Sequence, residues 1–165
     1  MIFAFGTYKL DVDVEQTKEY YKLATPIHEA CSCSGCRNYA EALSFLPQEI
    51  TSFFVQLGIE IAKPVEVYVY CANADNTLFY GGWYHICATM THGESPVVST
   101  GQNQGYFDET KTVPITDGFK VYVQKECALL DSKFPLPAVQ LGIMADIPWV
   151  LAEKHEYPKD MSRRK

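Results

Sequence analysis

The segment VEVYVYCANADNTLFYGGWYHICATM, residues 65–90, decides the fold because the hydrophobic pattern of the chain changes there to a period of two. Its first part alternates valines with a glutamate and two tyrosines, which is typical of a strand with two unlike faces. The turn residues NADN at 73–76 precede a second apolar run, so we predict an antiparallel hairpin. Gly81 and Gly82 inside the second run predict a bulge or a close approach of the backbone.

The residues before this hairpin favour helices. Asp13 followed by Gln16 is a capping arrangement, which predicts a short helix directly after it. A second helix is predicted to begin near Cys36. The clearest helix follows Pro47, because the apolar residues after it repeat at helical spacing and Gly58 fits a C-terminal cap.

Three further segments favour strands, at residues 2–12, 118–130 and 137–151. Residues 91–118 are rich in Gly, Ser, Thr, Gln and Asp, and predict a loop with one short strand near 97–100. A strand, then helices, then several strands is the order of an α+β fold. We therefore predict a mainly antiparallel sheet of about five strands with the N-terminal helices packed on one face.

The chain of 165 residues has the size of one domain, which we place at residues 1–158, and its 47% hydrophobic content is sufficient for a core. Residues 159–165 form a basic C-terminal tail that we expect to be frayed and solvated. The net charge of −6 argues against a nucleic-acid binder that relies on phosphate neutralisation.

The first residues, MIFAFGTYKLDVD, lack the basic start and the long apolar run of a secretory signal. No window approaches the roughly 18 uncharged apolar residues of a membrane span. We therefore expect a cytoplasmic protein that does not enter a membrane. In that compartment its six cysteines are expected to be reduced or bound to metal.

The motif CSCSGC, residues 31–36, places three thiols within six positions. Zinc in structural sites takes four ligands, and closely spaced cysteines supply several of them at little loop-closure entropy. Gly35 allows the backbone to turn, and Cys36 near a helix start is placed where the helix dipole favours a thiolate. We therefore predict a structural zinc bound by Cys31, Cys33 and Cys36.

The fourth ligand is predicted to be His85, with Cys87 and His28 as alternatives. His28 precedes Cys31 by three residues and would give an all-local site. His85 or Cys87 would instead connect the helical half of the chain to the sheet. These two share one strand face about 6.6 Å apart along the strand, so only one of them is expected to bind the same ion.

Other interpretations of the thiols are reduced, unliganded cysteines, a redox or disulfide role, or an iron–sulfur cluster. The signatures of zinc deaminases and of HExxH metalloproteases are absent, as are nucleophile-elbow, Walker and dinucleotide-binding motifs. We assign no catalytic residue and favour a non-enzymatic protein. Cys71, Cys87 and Cys127 fall on predicted strands and are expected to be buried thiols.

Aromatic residues surround the glycine pair of the second strand. Tyr80, Trp83 and Tyr84 are candidates for a binding surface, because tyrosine and tryptophan combine apolar area with one polar group. The alternative is that these residues only divide between the two faces of the sheet.

Several stretches, among them CSCSGCRNYAEAL, FLPQEITSFFVQLGI and LFYGGWYHIC, resemble a family of small uncharacterised proteins from Gram-positive bacteria and their prophages and mobile elements. The resemblance spans most of the chain and implies an origin and a shared architecture, with the CxCxxC loop and the YHIC strand as common features. It implies no reaction and no site assignment.

Together these observations favour a cytoplasmic binding or interaction protein, such as an inhibitor or accessory factor carried by a mobile element. The partner, a protein or a small molecule, is unknown, and an oligomer is compatible with the sequence. The alternatives are a thiol-dependent enzyme or redox protein that uses the same cysteines, and a component of a virion or of its assembly.

Overall fold

The second strand of the predicted hairpin lies at the centre of the sheet in the computed structural model, which describes residues 1–163. The strands, in chain order, are β1 (Ile2–Phe5), β2 (Tyr8–Val12), β3 (Glu66–Ala72), β4 (Thr77–His92), β5 (Val97–Gly101), β6 (Gln104–Phe107), β7 (Val113–Thr116), β8 (Phe119–Gln124) and β9 (Ala138–Pro148). The α-helices are α1 (Val14–Leu23), α2 (Ile27–Ala30), α3 (Ser34–Ala42) and α4 (Gln48–Gln56). None of the helices within residues 1–163 is long and apolar enough to cross a bilayer.

The architecture is α+β, with antiparallel pairing between the strands of the main sheet. Seven strands belong to this sheet in the order β1-β2-β4-β9-β8-β7, and β3 pairs with β4; β5 and β6 form a separate hairpin. The sequence predicts too few strands for two reasons. Residues 2–12 fold back on themselves at Gly6, and residues 91–118 contain three short strands where one is predicted.

Strand β4 is the longest element, and its two edges are occupied along most of its length. Strand β9 pairs along one edge, from Thr77↔Pro148 to Cys87↔Ala138. On the other edge, β3 pairs with the first half of β4 and β2 with its last residues.

Between β2 and β3 this second edge is completed by side chains rather than by a strand. The Tyr21 hydroxyl accepts a hydrogen bond from the His85 N–H (3.1 Å) and donates to the His85 carbonyl (3.0 Å). The Cys87 N–H donates to the Thr17 hydroxyl at 3.0 Å, and the Cys87 carbonyl accepts from the Asp13 N–H at 2.8 Å. Helix α1 therefore satisfies buried backbone groups that would otherwise lack partners.

The predicted cap of α1 and the predicted C-terminal glycine of α4 agree with the structure, whereas Pro47, which suits a first helical position in the sequence, lies one residue before it. The Asp13 side chain accepts a hydrogen bond from the Gln16 N–H, which caps the start of α1. Pro47 is the N-cap residue of α4, and Gly58 after its C-terminal end has a φ of +77°, a conformation that favours glycine.

Helices α3 and α4 cover the inner face of the sheet. The rings of Tyr39 and Phe54 contact those of Tyr80 and Tyr84, and all four side chains are fully buried. The Tyr39 and Tyr84 hydroxyls lie 2.6 Å apart, and Tyr84 donates to the Ile61 carbonyl at 2.7 Å. The core therefore contains phenol groups whose polar atoms are hydrogen bonded to one another and to the backbone.

The outer face of the sheet is aromatic and lies over glycines, as the glycine pair predicts. A side chain at Gly81 would meet the Tyr68 ring at 2.7 Å, and a side chain at Gly82 would meet the Glu66 carbonyl at 2.6 Å. Gly142 likewise lies under the Tyr122 ring. These glycines permit a close approach that any larger residue would prevent.

After β9 the chain returns across α3 and along β3; residues 149–163 are called the strap below. The Val150 N–H donates to the Asn38 side chain at 2.8 Å. Further along, Ala72 exchanges backbone hydrogen bonds with Pro158 and Asp160, at 2.8 and 3.1 Å. Within the predicted tail, Asp160 bonds to Ala72 and Arg163 lies over the Phe79 ring at 3.2 Å, while Lys159, Met161 and Ser162 are exposed. Residues 164–165 lie outside the described part of the chain.

We expect the substitution Tyr21→Phe to reduce the free energy of unfolding by about 1–3 kcal/mol, because it leaves both backbone groups of His85 without their hydrogen-bond partner. Denaturant unfolding of the wild type and the variant measures this difference. Tyr106→Phe is the control, because Tyr106 is exposed. Equal losses in the two variants would show that the Tyr21 hydroxyl does not complete the edge of β4.

Candidate metal centre

The three thiols of CSCSGC converge at the junction of α2 and α3. Cys31 follows the last residue of α2, Cys33 is the N-cap residue of α3, and Cys36 lies in the first turn of that helix. Their sulfur atoms all lie within 4.8 Å of one another. Cys33 is exposed, Cys31 is partly exposed and Cys36 is buried, so the cluster is open to solvent on one side.

Local hydrogen bonds hold this loop in place. The Cys36 N–H donates to the Cys33 sulfur at 3.4 Å, so a thiol takes the capping position that serine or aspartate more often occupies. The Gly35 carbonyl accepts a hydrogen bond from the buried Tyr80 hydroxyl at 2.8 Å. The loop is thereby attached to the sheet, and the thiols have a fixed position relative to the core.

The distances between the sulfur atoms are close to those of a metal site. Zinc–sulfur bonds of about 2.3 Å in a tetrahedral site place neighbouring sulfurs about 3.8 Å apart. The Cys31 and Cys33 sulfurs are 3.3 Å apart, and no pair exceeds 4.8 Å. Shifts of about 1 Å or less therefore convert this cluster into three ligands of one ion, and rotations of cysteine side chains supply such shifts.

The thiols differ in how readily they lose a proton. A hydrogen bond from the Cys33 backbone, together with bonds from the Cys36 and Cys33 side chains, lowers the pKa of Cys31. Burial, with a smaller contribution from the neighbouring thiols, raises the pKa of Cys36 well above its usual range. Without a metal, Cys31 therefore loses its proton more readily than Cys36 does. A bound cation would favour deprotonation of all three.

The structure does not bring His85 or Cys87 to the three thiols. Tyr80 and Tyr84 point to the inner face, where they contact α3, so the odd-numbered His85 and Cys87 occupy the opposite face of β4. The His85 ring lies against Phe134, and its Nε2 atom is 3.1 Å from the Ala128 carbonyl. Strand alternation thus separates these predicted ligands from the cluster by the thickness of the sheet.

His28 is near the thiols in sequence, but its ring is half-exposed, with Nε2 3.9 Å from a Glu29 carboxylate oxygen. Among residues 1–163, the group of mutually close metal-binding side chains around the thiols contains the three cysteines and no histidine. Cys71 and Cys87 are buried as predicted, whereas Cys127 is partly exposed in the loop after β8.

Residues of the strap contact the thiol loop. No pattern in the sequence predicts these contacts. The Arg37 guanidinium forms an ion pair with Glu153, and its Nε atom donates to the Ser32 carbonyl at 3.3 Å. A Cβ atom at Gly35 would lie 2.7 Å from the Tyr157 hydroxyl. No spacing rule connects residues more than 110 positions apart, so this neighbourhood is visible only in the fold.

The predicted binding surface is changed by the structure. Tyr80 and Tyr84 are fully buried under α3 and do not belong to any surface, whereas Trp83 is partly exposed on the outer face. The aromatic group on this face, called the outer aromatic face below, consists of the exposed Tyr70 and the partly buried Tyr68, Phe79, Trp83 and Tyr122. Tyr70 stacks on Phe79 with ring centroids 4.9 Å apart, and the Tyr68 and Tyr70 hydroxyls are 2.9 Å apart.

No protein-family model, no curated protein and no solved structure matches this chain. The resemblance to a family from Gram-positive bacteria and their mobile elements stays a prediction. The functional interpretation therefore depends on the geometry of the thiol cluster and of the outer aromatic face.

In metal-free protein we expect Cys31 and Cys33 to be alkylated before the other thiols, because both are accessible and the pKa of Cys31 is lowered. Peptide mass spectrometry after timed exposure to iodoacetamide measures the order. Cys87, 1% exposed, serves as the internal reference for a slow thiol. Alkylation of Cys36 ahead of Cys31 would contradict the arrangement described here.

We expect the free energy of unfolding to decrease as the pH falls below about 6.5, the ordinary pKa of histidine. Burial lowers the pKa of His85, so the unfolded chain binds this proton more readily than the folded protein does. Urea unfolding at pH 7.5 and 5.5, with chelator present, measures the effect. The decrease should be smaller in His85→Asn and unchanged in His92→Asn, since His92 is exposed. Equal decreases in all three proteins would contradict the assignment to His85.

Proposed function

We propose that this protein is a non-enzymatic binding protein stabilised by a structural zinc ion at Cys31, Cys33 and Cys36. The observation that carries the proposal is the convergence of the three sulfur atoms within 4.8 Å at the α2–α3 junction. Thiolates are the ligands that zinc takes in most of its structural sites, and carboxylates, which harder cations prefer, are absent from the group within residues 1–163.

A structural role is supported by the position of the cluster. The thiols lie where a four-residue helix, the first turn of α3 and the strap meet, and where regular backbone hydrogen bonding is interrupted. A metal ion at this point would bind the end of α2 to the first turn of α3 and fix the loop between them. It thereby stabilises the position of α3 on the sheet.

The outer aromatic face is the surface we propose for binding. It combines apolar area with several hydroxyl groups, a composition that suits recognition of a protein or of a small molecule. The net charge of −6 disfavours polyanionic partners. A role as an inhibitor or accessory factor of a mobile element is supported by the family resemblance alone.

A second candidate function is redox chemistry at the same cysteines. It is favoured by the 3.3 Å separation of the Cys31 and Cys33 sulfurs and by the exposure of Cys33. In that case the Cys31 thiolate would attack a disulfide of a substrate protein and release one substrate thiolate. Cys33 would then attack Cys31 in the mixed disulfide, which releases the second substrate thiolate and leaves a Cys31–Cys33 disulfide. The zinc proposal and the redox proposal predict different metal contents for the purified protein, so elemental analysis distinguishes them.

Protein purified with an N-terminal, non-histidine tag and without chelator is expected to contain one zinc ion per chain by elemental analysis. Cys33→Ser should lose this zinc and several degrees of thermal stability, because a ligand at 100 times its dissociation constant stabilises a protein by about 2.7 kcal/mol. Cys127→Ser is the matched control and should retain both. Wild type that contains no zinc as purified, and that unfolds at the same temperature as Cys33→Ser, would overturn the zinc proposal and favour the redox function.

A further inference from the structure

A buried histidine nitrogen in the strap lacks a hydrogen-bond partner. The Nδ1 atom of His155 is inaccessible to solvent and makes no hydrogen bond among residues 1–163, and no other side-chain nitrogen or oxygen of that part of the chain shares this condition. The imidazole ring contacts Trp149 and Tyr157, at centroid distances of 5.3 and 6.2 Å. A buried polar atom without a partner is costly, so its presence calls for a ligand or for a change of conformation.

The neighbours of His155 in the chain contact the thiol loop. Two positions before it, Glu153 pairs with Arg37, whose guanidinium also reaches the Ser32 carbonyl. Two positions after it, the Tyr157 hydroxyl lies against Gly35. His155 is therefore held between two contacts to the residues that separate and follow the three cysteines.

Trp149 fixes the position of the His155 ring within the strap. Trp149 packs against the imidazole and donates its indole N–H to the Glu153 carbonyl at 2.6 Å, which closes a tight turn of the strap. His155 is therefore held by the strap between the two residues, Glu153 and Tyr157, that contact the thiol loop.

We propose that Nδ1 of His155 is the fourth ligand of the metal at Cys31, Cys33 and Cys36, an inference that rests on the proposed zinc site. The His155 ring is not among the side chains that lie within 4.8 Å of all three sulfurs. Metal binding therefore draws the strap toward the thiol loop until the distance between the metal and Nδ1 reaches about 2.0–2.1 Å. The thiols release their protons to solvent, and the imidazole stays neutral with its remaining proton on Nε2.

With His155 as the fourth ligand, the metal site needs neither His85 nor His28, the two histidines that the sequence predicts as ligands. His85 lies on the opposite face of the sheet with its Nε2 engaged by Ala128. His28 is half-exposed beside Glu29. A Cys₃His site completed by His155 would instead join α3 to the strap, and through the strap to the edge of β3 at Ala72.

Cobalt(II) titration of the metal-free protein tests the proposal. The thiolate-to-cobalt charge-transfer band reports the number of thiolates, and the d–d bands report whether the fourth donor is nitrogen or oxygen. We expect His155→Ala to retain the charge-transfer intensity, to show altered d–d bands and to bind cobalt at least about tenfold more weakly than the wild type. His28→Ala and His92→Ala are the controls and should resemble the wild type.

The variant His155→Cys distinguishes the loss of a metal ligand from a folding defect in His155→Ala. It should restore tight binding and add a fourth thiolate to the charge-transfer band, which a merely structural role of His155 cannot produce. Unchanged d–d bands and affinity in His155→Ala would overturn His155 as ligand while leaving the three-thiol site intact, and loss of binding in His28→Ala alone would assign the position to His28. A wild type that binds no cobalt would overturn the zinc site and this inference together.

Discussion

The structure depends on the need to satisfy the backbone hydrogen-bonding groups of the long strand β4, most of which is buried. One edge is satisfied by β9, and the other requires three different elements in succession: β3, the side chains of α1, and β2. Because α1 must present Tyr21 and Thr17 to that edge, its position is determined by hydrogen bonding as well as by packing. Helices α3 and α4 cover the inner face of the sheet.

The position of the thiol loop follows from the same constraint. Alternation along β4 directs Tyr80 and Tyr84 inward, where Tyr80 binds the Gly35 carbonyl and Tyr84 meets Tyr39. Helix α3 is consequently attached to the sheet at its first turn, directly beside the cysteines. Asn38, fully buried, connects the same helix to the end of β9 and to the start of the strap. The candidate metal centre thus lies at a point where polar contacts rather than apolar packing determine the geometry.

Local patterns in the sequence predict the parts of the fold that local physics controls. The caps at Asp13 and Gly58, the hairpin around 73–76 and the close approach at Gly81 are all visible in spacing and residue type. The three thiols are likewise close because they are close in sequence. The face on which His85 lies, by contrast, depends on which side of β4 the helices cover, and the role of the strap depends on contacts between residues more than 110 positions apart. Neither the face on which His85 lies nor the role of the strap produces a pattern in the local sequence.

The docking of the strap has a consequence for the behaviour of the protein at high concentration. Apart from its pairing with β4, strand β3 has an edge whose backbone groups at Ala72 are occupied by Pro158 and Asp160 of the strap. An open strand edge is a template for pairing with another chain, and the neighbouring aromatic residues would strengthen such pairing. By occupying the Ala72 end of this edge, the strap leaves a shorter stretch of β3 open to edge-to-edge association. Its attachment therefore influences solubility as well as the conformation of a single molecule.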